Sequence, residues 1–320
     1  MNLKPWLKTC AALVALNCSG LALAGGEGWT SDFAAAKKEA AGAKKDLLVD
    51  FTGSDWCGWC IKLNEEVFSH EPFKAGVKDK FVLVELDYPK DKSKLSEATL
   101  KQNEELGKKY QVAGYPTILL CDADGKPYAA TGYRPGGPEE YVKQLDELRT
   151  KKTARDEALA SAAKANGVKK ARLLAGAITS MGLNDGMITR FYGDVVEQIK
   201  ASDPKDETGF GKAEALKARL AGIERELAGF MRKKDTEGAR GVLEKVMKEG
   251  GLPQDEVQKI MITRGILFAE EKKFDDAVKA LDDAKAVDPE SRYAAAVEGI
   301  KQKIQIDKDK AAAPAPALGE

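Results

Sequence analysis

The pentapeptide Trp56-Cys57-Gly58-Trp59-Cys60 constrains this chain most. It follows the apolar run Leu47-Leu48-Val49-Asp50-Phe51 and leads into Ile61-Lys62-Leu63-Asn64-Glu65-Glu66-Val67-Phe68. That order predicts a short buried strand, a turn, and a helix that begins at the first cysteine. A cysteine pair in that place can cycle between dithiol and disulfide. The helix N-terminus carries partial positive charge, which stabilises a thiolate and lowers its pKa. Cys57 is therefore the expected nucleophile, and Cys60, one turn on, the expected resolving thiol. The competing reading is half of a zinc site. Zinc usually takes four ligands, and only Cys121 and the single histidine, His70, remain as soft candidates, neither in motif spacing. No metal and no organic cofactor is expected.

The N-terminus reads as a targeting segment. Lys4 and Lys8 precede an apolar stretch from Cys10 to Ala24, and Ala22-Leu23-Ala24 fits a small-x-small cleavage site. Residues 1–24 are expected to be a signal peptide, with export to the periplasm. The stretch is short and broken for a bilayer span. Cleavage would remove Cys10 and Cys18 and leave Cys57, Cys60 and Cys121, which is one close pair and one odd thiol rather than a disulfide framework. Lys and Arg number 51 against 51 Asp and Glu, so no nucleic-acid partner is expected.

Downstream, a helix is expected over Trp29–Ala43, strands over 46–51, 81–87, 117–121 and 126–132, and helices over 57–69, 95–110 and 138–149. Asp122-Ala123-Asp124-Gly125 carries a hairpin signal between the last two strands. With Val49-Asp50-Phe51, Trp56-Cys57-Gly58-Trp59-Cys60, Gly114-Tyr115-Pro116-Thr117 and Gly132 falling in this order, the segment from about 28 to 150 resembles thioredoxin. The resemblance implies an α/β domain with a central mixed β-sheet flanked by helices. It also implies that Trp56 shields the cysteines, that Pro116 is a cis-proline facing them, and that Tyr115, Gly58 and Trp59 help to form the substrate surface. Asp50 resembles the buried acid that takes the proton of the resolving cysteine in this family; the residues alone leave a solvated strand-end aspartate equally open. Trp59 stands where thioredoxin commonly has proline, which leaves the direction of electron flow open.

Past residue 150 the chain is rich in Ala, Lys, Glu, Leu and Gly and reads as successive helices. Met261, Gly265, Phe268, Ala277, Leu281, Ala284 and Pro289 resemble a tetratricopeptide repeat, with a weaker copy at Phe230, Ala239, Leu243 and Val246. The expected organisation is a signal peptide at 1–24, a thioredoxin-like domain at 25–150, an all-α helical-repeat domain at 151–306 and a disordered tail at 307–320. The expected function is an exported thiol–disulfide oxidoreductase acting on protein disulfides or dithiols, with reductase or isomerase activity favoured over oxidase because the domain has no helical insertion. Such a reductase needs electrons, so a membrane reductant partner is implied. Homodimerisation through the helices is compatible with the sequence but demanded by no residue. The alternative is a helical protein-binding module in which the redox domain is accessory.

Overall fold

The computed structural model describes residue 26 and residues 28–312. The expected signal peptide and the end of the tail lie outside the described residues. The chain divides into two compact units, the first reaching Thr208 and the second starting at Gly209.

The first unit is built on five strands: β1 (Trp29–Thr30), β2 (Asp46–Thr52), β3 (Phe81–Asp87), β4 (Thr117–Cys121) and β5 (Pro127–Thr131). Their order is β1-β3-β2-β4-β5, with β1/β3 and β2/β3 parallel and β2/β4 and β4/β5 antiparallel. This is the mixed sheet of a thioredoxin-like fold. Helices follow as α1 (Phe33–Ala43), α2 (Gly58–Leu63), α3 (Glu71–Val77), α4 (Glu97–Lys109), α5 (Gly137–Ala163), α6 (Gly167–Met181) and α7 (Asp185–Ser202).

The alternation of strand side chains sorts the two faces. Leu47, Val49, Phe51, Val82, Val84, Leu86, Leu119 and Cys121 point to one face, where Phe33, Ala36 and Ala40 of α1 and Leu106 and Tyr110 of α4 and its end complete an apolar cluster. On the other face Asp50, Thr52 and Glu85 meet the helix that carries the cysteines. Buried Phe68 and Phe73 pack there against Trp29, and Tyr141 meets both phenylalanine rings edge-on.

Trp29 corrects one expectation. It is not the start of α1 but pairs in register with Leu83, and its ring lies 5.0 Å from that of Phe68. Burying that ring holds the backbone extended. The helix starts only at Phe33, where the Asp32 carboxylate caps it by accepting the Ala35 N–H at 2.9 Å.

The domain boundary expected near residue 150 falls inside α5, which runs unbroken to Ala163. Charge pairing explains the continuation. Asp46, buried at the start of β2, accepts from Tyr128, Arg149 and Lys152. One turn further, Arg155 is 5% exposed and donates to Asp122 at 3.2 Å and to the Tyr192 hydroxyl at 2.9 Å. Tyr192, on α7, donates in turn to the Pro127 carbonyl at 2.7 Å. Helices α5 and α7 are thus pinned to the β4–β5 hairpin by a buried polar network.

The second unit consists of α8 (Phe210–Arg232), α9 (Thr236–Glu249), α10 (Gln254–Glu270), α11 (Phe274–Val287) and α12 (Arg292–Ala312). Helix α12 extends six residues into the segment expected to be a disordered tail. Helices α10 and α11 form an antiparallel pair. A Cβ at Gly265 would lie 2.9 Å from the Leu281 side chain, so only glycine permits this crossing. The buried Gln258 amide closes the other end by donating to the carbonyls of Ala284 and Asp288, each at 3.0 Å.

Removing a partner from a buried ion pair leaves an uncompensated charge. Arg155→Ala is expected to cost the first unit about 3 kcal/mol or more. Urea unfolding followed by tryptophan fluorescence checks this, because Trp29, Trp56 and Trp59 all lie in that unit.

Candidate active site

The sequence places Cys57 where β2 has ended and α2 is about to begin. Cys57 has extended backbone angles and is the N-cap of α2, and its Sγ accepts the Cys60 N–H at 3.2 Å. The cap position is normally filled by a short oxygen side chain; here a sulfur takes that role, facing the unpaired amides of the first turn. Cys57 and Cys60 are joined as a disulfide, with their Cα atoms 5.2 Å apart. Both are nearly buried, at 6% and 4% exposure. Helix α2 is short and passes into a single π-type turn, Asn64–Phe68. Such a turn shifts the side chains that follow it around the axis, and is common at functional sites.

The tryptophans flank the pair and are exposed, Trp56 at 41% and Trp59 at 58%. Trp56 is fixed: its indole N–H donates to the Tyr88 carbonyl at 2.8 Å, and its ring meets that of Tyr115 edge-on at 5.6 Å. Gly53 lies beneath it, where a Cβ would come within 2.6 Å of the indole. Trp59 packs 5.0 Å from Tyr133, and the Lys62 ammonium lies 5.5 Å from the one ring and 5.1 Å from the other. Gly58 is exposed at the first position of α2.

The Tyr115–Pro116 peptide is cis, and both residues are half-buried in the loop before β4. The end of β5 closes on this loop: a Cβ at Gly132 would meet the Pro116 carbonyl at 3.1 Å. Tyr115 also packs against Tyr88, with ring centroids 5.2 Å apart and the planes tilted by 51°, so Trp56, Tyr88, Tyr115 and Pro116 form one connected surface.

Asp50 is buried, at 5% exposure, on the face of β2 beneath α2. It lines a cleft of about 150 Å³ together with Thr52, Ser54, Cys60, Asn64, Glu65 and Glu85. Its Oδ1 has no hydrogen-bond partner in the protein. Burial first, then the charges of Glu85 and Asp87, push its pKa well above the ordinary 3.8. Nearby, Asp55 accepts the backbone N–H groups of Lys90 and Asp91 at 2.8 and 3.1 Å, which lower its pKa to about 2 and tie the turn before the cysteines to the loop after β3.

The residues that could complete a zinc site are kept apart. Cys121 is fully buried on the opposite face of the sheet, where burial pushes its thiol pKa up, and His70 is exposed beside the Glu65 carbonyl. Among the described residues no group of three or more His, Cys, Asp and Glu side chains is placed to hold a metal.

Sequence reasoning missed Glu85, Tyr88 and Tyr133. A glutamate inside the apolar run Phe81-Val82-Leu83-Val84-Glu85-Leu86-Asp87 was a visible anomaly, but its neighbour depends on the register of β3 against β2. Tyr133 and Lys62 carried no signal, since their meeting is purely tertiary.

A family model for a thioredoxin-like domain matches residues 33–149. The disulfide bond reductase DsbH of Chlamydia pneumoniae is 36% identical over 117 residues, covering 37% of this chain and 69% of that protein. The chain belongs to the thioredoxin-like family. The thioredoxin-related protein DsbJ of the same organism is 36% identical over 92 residues, covering 29% of this chain and 26% of DsbJ. The thiol:disulfide interchange protein DsbD of Vibrio vulnificus is 33% identical over 107 residues, covering 32% and 16% respectively. A solved structure of a DsbH oxidoreductase is 34% identical, covers 37% of this chain and 81% of its own, and has a TM-score of 0.36.

The raised pKa of Asp50 has a stability consequence. The folded state holds the Asp50 proton more tightly than the unfolded state, so folding is favoured by that proton at low pH. The contribution is lost as pH rises from the ordinary carboxylate value through the folded-state pKa. Asp50→Asn is therefore expected to raise the melting temperature of the oxidised protein at pH 8, with the gain vanishing below about pH 4. Calorimetry across that range measures it.

Proposed function

We propose that this chain is a thiol–disulfide oxidoreductase that reduces or isomerises protein disulfides. The observation that carries the reading is a cysteine pair at a helix N-terminus above a cleft whose charged lining, among the described residues, is acidic: Asp50, Glu65 and Glu85. In the reducing direction the Cys57 thiolate attacks a client disulfide, forms a mixed disulfide and releases one client thiolate. Cys60 then loses its proton to the Asp50 carboxylate. Its thiolate attacks Cys57, closes the Cys57–Cys60 disulfide and expels the second client thiolate. Two electrons pass to the client, and the proton held on Asp50 returns to solvent or to the leaving thiolate. Acidic neighbours withhold from the reduced pair the thiolate stabilisation that makes the dithiol form of a strong oxidant stable, which accords with a reductant.

Trp56, Tyr115 and Pro116 form the surface a client segment lies on, with the exposed Gly58 and Trp59 beside the attacked sulfur. The similarity to a protein named disulfide bond reductase supports the same direction. The signal-like N-terminus supports export to the periplasm, where a reductant must be recharged, so a membrane electron donor is part of the proposal. No described helix is long and apolar enough to cross a membrane. The helices of the second unit, and the repeat-like pairing read in them, are assigned to docking a client, that donor or a second copy.

Cys57→Ser is expected to reduce catalysis of insulin disulfide reduction to the uncatalysed background. Cys60→Ser is expected to accumulate a mixed disulfide that dithiothreitol releases. Full turnover by Cys57→Ser would contradict the mechanism. An unchanged biological role for the double serine variant would favour the helices as the working part.

A further inference from the structure

Asp50 and Glu85 are partners in the parallel register of β2 and β3. Side chains paired in this way leave the same face of the sheet, on strands about 4.8 Å apart. Both are buried, at 5% and 2% exposure, and both line the cleft that Cys60 closes from above. We propose that Asp50 and Glu85 act as a carboxyl pair sharing one proton beneath Cys60, with Glu85 as the positioning residue that sets when Asp50 accepts or returns the proton of the exchange reaction. This rests on the oxidoreductase reading above.

The argument is electrostatic. Two carboxyl groups this close in a buried site resist ionising together, so their protons leave in two separated steps that belong to the pair. Between those steps the pair carries one proton. It then has one to give to a Cys60 thiolate when the disulfide opens, and room for one when the Cys60 thiol must be deprotonated. A lone buried aspartate would serve one direction well and the other poorly at a given pH. The pH window in which both directions run is thus set by Glu85, which need not touch sulfur.

The surroundings agree. From β3, Asp87 adds a second negative group; its carboxylate accepts the Ser54 N–H at 2.9 Å and the Ser54 hydroxyl at 2.6 Å, so hydrogen bonds to that loop hold it. From the π-type turn come Asn64 and, at the rim, Glu65. From α5, Tyr141 is buried near Asp50, but its hydroxyl donates to the Gly132 carbonyl at 3.1 Å. From β4 the neighbour of Asp50 is the apolar Ile118. Among the described residues that line the cleft, none is a lysine or arginine. The upward shift of the Asp50 pKa by burial, then Glu85, then Asp87, accords with the pair.

The test is a carbon-13 NMR titration of the Asp50 and Glu85 carboxyls in the full oxidised chain, beside the pH profile of Cys57–Cys60 reduction by dithiothreitol. The wild-type carboxyls are expected to titrate in two separated, mutually sensed steps. Glu85→Gln should lower the Asp50 midpoint by about one pH unit or more. The acid limb of the reduction profile should move with it. Glu85→Asp should restore both. An Asp50 midpoint that does not move in Glu85→Gln overturns the proposal, as does a Glu85→Asp variant that behaves like Glu85→Gln. The carboxyl titration needs no client, so it separates this idea from the wider one. Coupled carboxyls in a protein that reduces no client disulfide would sustain the pair and refute the oxidoreductase reading.

Discussion

The Cys60 N–H that points at Cys57 Sγ is the contact on which the site depends. It exists because Cys57 occupies an N-cap position, at the point where the chain leaves β2 and turns into α2. The amides of a first helical turn have no partners within the helix, and a thiolate at the cap would satisfy them while lying at the positive end of the dipole. The surrounding turn is built to hold that geometry. Gly53 lets the Trp56 ring lie against the backbone, Trp56 is tethered to Tyr88, and Asp55 holds the amides of Lys90 and Asp91.

Beneath this contact the sheet is divided by chemistry. One face is wholly apolar and packs on α1 and α4. The other carries Asp50, Thr52 and Glu85 in the cleft that Cys60 also lines, a placement that costs stability and is hard to explain by packing alone. Buried acids gathered beneath a cysteine point to chemistry there. The two sulfurs therefore sit in unlike surroundings: Cys57 at a helix terminus beside an exposed aromatic surface, Cys60 above buried acids. That asymmetry is what the proposed division into an attacking and a resolving thiol rests on.

Much of this was legible in the chain. The β2, β3, β4 and β5 strands were readable because each is a compact apolar run bounded by turn residues, and the cysteine pair was readable because its flanks announce strand, turn and helix. The Tyr115–Pro116 loop could be placed by its position before Thr117. What escaped depends on contacts distant in sequence. Trp29 looked helical beside its alanine-rich neighbours, but its ring is held by Phe68 and Phe73. Helix α5 passes residue 150 because Arg149, Lys152 and Arg155 find carboxylates on the sheet. Glu85 was visible as an odd charge, yet only the β2–β3 register places it beside Asp50. Local pattern reveals elements; it does not reveal which buried charges meet.

The central claim is the proposal that the Cys57–Cys60 pair, above its acidic cleft, works as a reductant. The most direct measurement is the equilibrium reduction potential of the Cys57–Cys60 pair against a dithiothreitol or glutathione series. The account predicts a value toward the thioredoxin end of the family range, about −270 mV. A value near about −120 mV would mark a disulfide donor and contradict it.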